Sequence, residues 1–87
     1  MLRLSSAVRV VPTATGAFLA HYDTGQCFVL NAFGLMVWKH AEKGASRDEI
    51  CTNIQSEYKD VLPERIQEDV NKFVDELKTR GLIQEVE

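Results

Sequence analysis

The sequence lacks the features that indicate export, membrane insertion or a disulfide-rich fold. Its 87 residues include two cysteines and two prolines, and no apolar run approaches the roughly 18 residues that a membrane helix requires. Polar Ser5 and Ser6 follow Met1–Leu4 at once, so no apolar core of signal-peptide length is present. Cys27 and Cys51 form no Cys-x-x-Cys pair. They are expected to be reduced thiols, and the chain is expected to be cytoplasmic.

Charge of either sign is not concentrated anywhere in the chain. Ten basic and thirteen acidic residues are mixed along the sequence and give a formal net charge of −3. Because proteins that bind nucleic acids gather positive charge on one face, this distribution argues against such a partner. With 45% hydrophobic and 26% charged residues, the composition is that of an ordinary globular protein. The length predicts one domain, residues 1–87, with a single core and no deep cleft.

The sequence contains no constellation of residues typical of catalysis or metal binding. His21, Cys27, His40 and Cys51 include none of the close pairs that structural zinc sites use. A cysteine and histidine pair would also need an orienting group, an oxyanion hole and a cleft. The sequence therefore predicts a protein that is not an enzyme and that has no metal site and no cofactor.

The first third of the chain predicts three strands. The β-branched run Ala7–Val11 is expected to stop at Pro12, and Ala17–Tyr22 forms a second run. Turn residues Asp23–Gly25 then precede a third, Gln26–Leu30. Short runs separated by proline and glycine are typical of hairpins, so we expect a three-stranded antiparallel meander.

The remaining two thirds predict three helices with explicit start and stop residues. These are Asn31 and Gly44 for the first helix (Ala32–Lys43), the capping box of Ser46 and Glu49 for the second, and Pro63 and Gly81 for the third. On the first helix Phe33, Leu35, Val37 and Trp38 are predicted to be core residues. The tail Leu82–Val86 is apolar enough to pack back, but its pattern does not decide its structure.

The order of these elements and several particular residues resemble the PqqD-like proteins. The run from Gly25 to Trp38, with Leu30-Asn31, Gly34 and Val37-Trp38, is similar to the strand-to-helix junction of that family. The similarity extends from about Val8 to Ile83. It implies an α+β, winged-helix-like domain in which a three-stranded antiparallel β-meander is followed by a three-helix bundle. It also implies a leader-peptide recognition element for ribosomally made, later modified peptides.

The resemblance further implies where the leader binds. In that family the leader lies as an added antiparallel strand on the third strand, in a groove whose other wall is the third helix. The candidate peptide-binding residues are Gln26, Cys27, Phe28, Val29 and Leu30 on the strand, and Asp69, Lys72, Phe73 and Glu76 on the helix. For each single charge in this set, a solvated helix face is an equally good interpretation.

The third strand favours the same role on physical grounds. If the meander is sequential, Gln26–Leu30 is an edge strand, and no charge or proline protects it from pairing with another chain. Backbone groups alternate along a strand, so residues 26, 28 and 30 form one set and residues 27 and 29 the other. The sequence leaves open which set faces outward.

The predicted function is therefore to bind a precursor leader and deliver it to a processing enzyme, with no nucleic acid and no membrane as partner. The resemblance offers a leader-cleaving cysteine protease of lasso-peptide assembly or a radical enzyme of pyrroloquinoline quinone synthesis, and the Leu30–Trp38 run favours the protease. The alternatives are a winged-helix DNA-binding protein and a structural subunit of an enzyme complex. The third helix argues against DNA, because four basic residues stand against five acidic ones between Glu64 and Arg80.

Overall fold

The computed structural model describes residues 2–85 and has an α+β fold. The strands are β1 Leu2–Leu4, β2 Val8–Thr13, β3 Gly16–His21, β4 Cys27–Asn31 and β5 Ile83–Glu85, and the helices are α1 Ala32–Glu42, α2 Arg47–Glu57 and α3 Pro63–Thr79. Strands β2, β3 and β4 form an antiparallel sheet in that order. The expected fold class, a three-stranded meander followed by three helices, is confirmed.

The predicted helix signals act as expected. The Asn31 side chain accepts a hydrogen bond from the Gly34 N–H at 2.8 Å, which caps α1. Ser46 and Glu49 form the reciprocal capping box of α2. Pro63 occupies the first turn of α3, where its missing N–H costs nothing. These local signals mark where the three helices begin.

The prediction that the first strand stops at Pro12 is wrong. Strand β2 continues through Pro12, which pairs with Ala17 of β3. The Tyr22 N–H donates to the Ala7 carbonyl at 2.8 Å, and this bond sets the alternation of hydrogen-bonded pairs between the two strands. By that alternation the Pro12 nitrogen faces away from β3. A proline is tolerated there because no ladder hydrogen bond is required of it.

The two ends of the chain meet in a small second sheet that the sequence pattern did not predict. Strand β1 pairs antiparallel with β5, with Leu2 opposite Glu85 and Leu4 opposite Ile83. Leu2 and Ile83 are buried in the main core. The tail therefore packs back, although Val86 lies outside the described residues. A three-residue strand is too short to show a period, so its pairing depends on tertiary contacts.

The core lies between the inner face of the main sheet and the helices. Its largest fully buried side chain is Trp38, and Val37 is fully buried beside it. Phe33 and Leu35, which were also predicted as core, are only half-buried. Helix α3 buries one stripe, made of Ile66, Val70, Val74 and Leu77. Within residues 2–85 no helix is both long and apolar enough to span a membrane.

An ion-pair cluster ties α2, α3 and β5 together. The Arg47 guanidinium donates to Glu85 at 2.6 Å and to Asp75 at 2.7 Å, and it also bonds Asn71 at 3.1 Å. Lys78 approaches the same Glu85 carboxylate at 2.9 Å. Hydrogen bonds from Arg47 and then Lys78 hold the pKa of Glu85 at about 2, below its usual 4.5. The ionised Glu85 carboxylate thus links β5 to Arg47 of α2 and Lys78 of α3.

The Glu85 cluster predicts a loss of stability in acid. Because its folded-state pKa is depressed, the contribution of Glu85 is present above about pH 4.5 and is lost as the pH falls towards 2. We expect Glu85→Gln to lower the free energy of unfolding at pH 7 by only about 1 kcal/mol, because solvent screens this partly exposed site. Most of the difference from the wild type should be lost by pH 2. Urea denaturation at pH 7, 4 and 2 measures both effects.

The matched control is Glu68→Gln, because Glu68 is exposed on α3 and makes no ion pair with any residue from 2 to 85. Equal losses for the two variants at pH 7 would show that the cluster contributes nothing measurable.

Candidate functional site

Strand β4 is an edge of the main sheet, and its outward-facing residues can be identified. The His21 N–H donates to the Gln26 carbonyl at 2.9 Å, and the β3–β4 register continues from this pair. Alternation then makes Phe28 and Leu30 the residues whose backbone groups bond to β3. The backbone N–H and C=O groups of Cys27 and Val29 point away from β3, to the open edge. The structure thus selects one of the two sets that the sequence left open.

The opposite edge of the sheet is less suited to pairing with another strand. On β2 the outward set contains Pro12, which has no N–H to donate. Strand β4 contains neither proline nor a charged side chain between Cys27 and Asn31. Of the two edges of the main sheet, β4 is therefore the one that offers an uninterrupted row of donors and acceptors to an extended peptide.

A groove of about 740 Å³ runs along this open edge, between β4 and α3. Its lining residues are Thr15, Val29, Leu30, Asn31, Phe33, Asp69, Lys72, Phe73 and Glu76. Half-buried Phe33 and Phe73 form its apolar part, whereas Lys72 and Glu76 are exposed. Asp69 lies three and four positions before Lys72 and Phe73, and Glu76 lies three and four positions after Phe73 and Lys72, so the four residues share one flank of α3. The groove therefore joins backbone hydrogen-bonding groups to an apolar floor with a charged rim.

Ion pairs on α3 organise the charges of the rim. Arg65 lies 3.4 Å from the Asp69 carboxylate, and Arg80 lies 3.7 Å from that of Glu76, each one helical turn away. Arg80 also stacks over the Phe28 ring, with its guanidinium carbon 4.3 Å from the ring centroid. Lys72 has no such ion pair among the described residues. It is thus the rim charge most available to an acidic ligand group.

Gly34 of α1 sets how closely that helix approaches the groove. A Cβ atom at this position would lie 2.9 Å from Cε2 of Phe73 and 3.3 Å from the Asn31 side-chain oxygen. The Phe73 ring therefore rests on the bare backbone of α1. Gly34, which is part of the family-like run from Gly25 to Trp38, thus allows close packing beneath the groove floor.

Replacing Gly34 with alanine is expected to damage the groove more than the fold. The added methyl group must displace the Phe73 ring, and overpacking of this kind typically costs about 1–3 kcal/mol. The better helix propensity of alanine offsets about 0.8–1 kcal/mol of that cost. We expect a change in unfolding free energy within about 2 kcal/mol, with peptide affinity falling about 3- to 10-fold. Thermal denaturation and peptide titration check the two effects.

Gly81→Ala is the control for this prediction, because nothing lies within 4 Å of a Cβ atom added there. Its φ of +76° makes the substitution strained, so it should lower stability without a specific loss of peptide binding. If Gly34→Ala binds peptide as well as the wild type does, Phe73 is not part of the binding surface.

The structure brings six of the nine predicted site residues to the groove. Val29, Leu30, Asp69, Lys72, Phe73 and Glu76 line it, although the Leu30 side chain is buried in the core. Gln26, Cys27 and Phe28 do not line it. Gln26 precedes β4 and turns its carbonyl towards His21. Cys27 contributes outward backbone groups, and Phe28 lies under Arg80.

Sequence reasoning missed three lining residues, Thr15, Asn31 and Phe33. Asn31 was identified as a helix cap, and that position at the end of β4 also places it beside the groove. Phe33 was assigned to the core with the rest of its helix face. A smaller cavity of about 190 Å³ shares Phe33 and Asp69 with the groove and is otherwise lined by Ile54, Tyr58, Val61 and Ile66. It extends the apolar surface towards α2.

The reactive side chains of the described residues do not converge. Cys27 and Cys51 are both free thiols, and burial raises the pKa of Cys51, which keeps that thiol protonated. No three His, Cys, Asp or Glu side chains within residues 2–85 are grouped as metal ligands would be.

Known proteins share both the sequence pattern and the fold. The family model described as coenzyme PQQ synthesis protein D (PqqD) matches residues 16–83. None of the curated proteins matches the sequence. A solved structure described as TbiB1 in complex with the TbiA(beta) leader peptide is 28% identical, with 98% of each chain covered and a TM-score of 0.88.

A second structure, described as lasso peptide synthetase B1 complexed with the leader peptide, is similar in fold. It is 24% identical and has a TM-score of 0.86, with 97% of this chain and 98% of the other covered.

Proposed function

The chain belongs to the PqqD family, and from this premise we propose that it binds the leader segment of a precursor peptide and delivers it to a processing enzyme. The family match confirms the resemblance found in the sequence. In this proposal the leader adds to β4 as a fourth strand, and the alternate side chains that face inward enter the groove beside α3. The domain itself is not a catalyst but holds the substrate.

The observation that carries this proposal is the open edge of β4 next to the groove. Cys27 and Val29 present backbone donors and acceptors there, and Phe33 and Phe73 lie beside them as an apolar surface. Main-chain hydrogen bonds provide affinity in strand addition, and side-chain pockets provide specificity. Both requirements meet at one place on this domain.

The proposed partner is the leader-cleaving cysteine protease of lasso-peptide assembly rather than a radical enzyme. Both similar structures are described as complexes with a leader peptide, and one is described as a lasso peptide synthetase. We place the domain in the cytosol, where its two free cysteines would remain reduced. A leader bound to the domain brings the cleavage site to the enzyme at a raised effective concentration.

The proposal is tested with synthetic leader segments of short precursor peptides encoded beside this chain. A labelled leader should bind the purified domain, and omitting the domain should slow processing of the full precursor at low concentration. Excess precursor should partly restore the rate, because the domain acts by tethering. An equal loss on leaderless substrate would instead indicate a structural activator. Turnover of precursor by the isolated domain would contradict the non-catalytic role.

The rim charges should adjust leader affinity without supplying most of it. We expect charge reversal at Asp69, Lys72 or Glu76 to change affinity about 2- to 5-fold with unchanged folding, because rim charges tune recognition. Lys72 should have the largest effect, since Arg65 and Arg80 already accompany the two carboxylates. Calorimetric titration at two salt concentrations measures these changes. Unchanged affinity in all three variants would place the groove elsewhere.

A further inference from the structure

The outer face of the main sheet carries an apolar row that ends at the open edge. Val11 of β2 lies opposite Phe18 of β3, and Phe18 lies opposite Val29 of β4. All three side chains point away from the helices, because their neighbours Val10, Leu19 and Leu30 point towards the core. The row crosses all three strands and stops where a fourth strand would begin.

Val29 is the most exposed large apolar side chain among residues 2–85. Its exposed fraction is 76%, compared with 43% for Val11 at the other end of the row. Phe18 covers Val29 from one side only, and the other side is the open edge. An edge strand that has to stay unpaired usually carries a charged residue at such a position. Val29 is instead uncharged and β-branched. A side chain on an added strand would therefore bury apolar surface of Val29 that is now exposed to solvent.

The backbone geometry determines which ligand residue would be that neighbour. Val29 directs both its N–H and its C=O outward, so one residue of an added antiparallel strand exchanges both hydrogen bonds with it. Directly opposite residues project their side chains from the same face of a sheet. The side chain of that ligand residue therefore lies beside Val29 on the outer face, away from the groove.

We infer that the leader bound by this domain carries an apolar residue opposite Val29, which extends the row Val11–Phe18–Val29 onto a fourth strand. The inference rests on the proposed strand addition and narrows the class of leader. Besides the side chains that enter the groove, the leader must offer a β-branched or aromatic side chain on its other face. The two kinds of position are adjacent in the leader sequence, so the recognised segment contains neighbouring apolar residues instead of a simple polar–apolar alternation.

The test uses a displayed library of random 12-residue peptides, so it does not depend on knowing the natural leader. Binders are selected on the wild-type domain and kept only if they fail to bind Val29→Pro, which lacks the outward N–H. Each retained peptide is then titrated against Val29→Thr, which preserves shape and β-branching but adds a hydroxyl group. Val11→Thr is the matched control, because it makes the same change at the far end of the row.

Val29→Thr is expected to weaken binding about 3- to 5-fold and Val11→Thr less than about 1.5-fold, because only Val29 has the ligand residue as its directly opposed cross-strand neighbour. One ligand position should couple to Val29 in a double-mutant cycle, and it should be a position at which backbone N-methylation also weakens binding. Full affinity of Val29→Thr for peptides that Val29→Pro rejects would overturn the inference and leave strand addition intact. If no selected peptide distinguishes Val29→Pro from the wild type, strand addition itself fails.

Discussion

Replacing Val29 with proline is expected to lower leader affinity by about 10- to 100-fold while the domain stays folded. The Val29 N–H points to the open edge, so its loss removes no hydrogen bond of the β3–β4 ladder. It does remove a donor to the leader and leaves a leader carbonyl without a partner, which costs about 1–3 kcal/mol. Pro12 already occupies an equivalent outward position on β2 in the same sheet. Phe28, which precedes the substitution, has the extended conformation that proline requires.

The matched control is Phe28→Pro, one residue away. The Phe28 N–H belongs to the hydrogen-bonded pair with Leu19, so this variant loses an internal ladder bond. It should lower the free energy of unfolding by about 2 kcal/mol or more, which is a large share of the stability of so small a domain. Circular dichroism and anisotropy titration of both variants give the comparison. A folded Val29→Pro domain with wild-type affinity would rule out pairing at β4.

N-methylation of the leader backbone, one amide at a time, should weaken binding at every second position. The sensitive residues are those opposite Cys27 and Val29, because they exchange hydrogen bonds with the outward groups of β4. Each lost bond should reduce affinity about 3- to 10-fold, and more where the Val29 carbonyl stays buried and unpaired. Methylation of the residues between them should be tolerated, since their N–H groups point to solvent.

The same geometry predicts a second pattern, displaced by one residue. A leader residue opposite Phe28 directs its side chain to the inner face, towards Phe33 and Phe73 of the groove floor. Alanine substitutions in the leader should therefore have their largest effects at positions where N-methylation is tolerated. Titrations with the two peptide series measure both patterns. Coincident patterns would mean that the leader pairs parallel to β4, because the residue that bonds Cys27 and Val29 would then lie opposite Phe28 on the inner face. A period of three or four would mean a helical ligand.

Local signals in the sequence determined the elements of this fold. Side chains of Asn31 and of Ser46 with Glu49 form hydrogen bonds with the free backbone groups at the starts of α1 and α2. Pro63 begins α3 without leaving a free N–H. Such interactions span three or four residues, so they can be predicted from the chain alone. The order of the meander, and with it the position of β4 as an edge, also followed from short turns between successive strands.

The sequence determined one wall of the site better than the other residues around it. Asp69, Lys72, Phe73 and Glu76 follow from the family resemblance, which implies α3 as a groove wall, together with helical spacing, and all four line the groove. Whether these residues bind a leader stays a prediction. Phe33 was assigned to the core because an apolar residue on a helix has the same pattern whether it faces a packed interior or a groove.

Tertiary structure alone decided the register, the closeness of the elements and the pairing of the chain ends. One hydrogen bond between His21 and Gln26 assigns the backbone groups of every residue in β4, and this bond joins two strands, so the pattern of neither strand shows it. The contact between Gly34 and the Phe73 ring joins two helices that are far apart in sequence. Strands β1 and β5 pair across nearly the whole chain, with too few residues to show a pattern. Sequence periodicity reports which face of an element is buried, whereas contacts between distant segments decide what covers it.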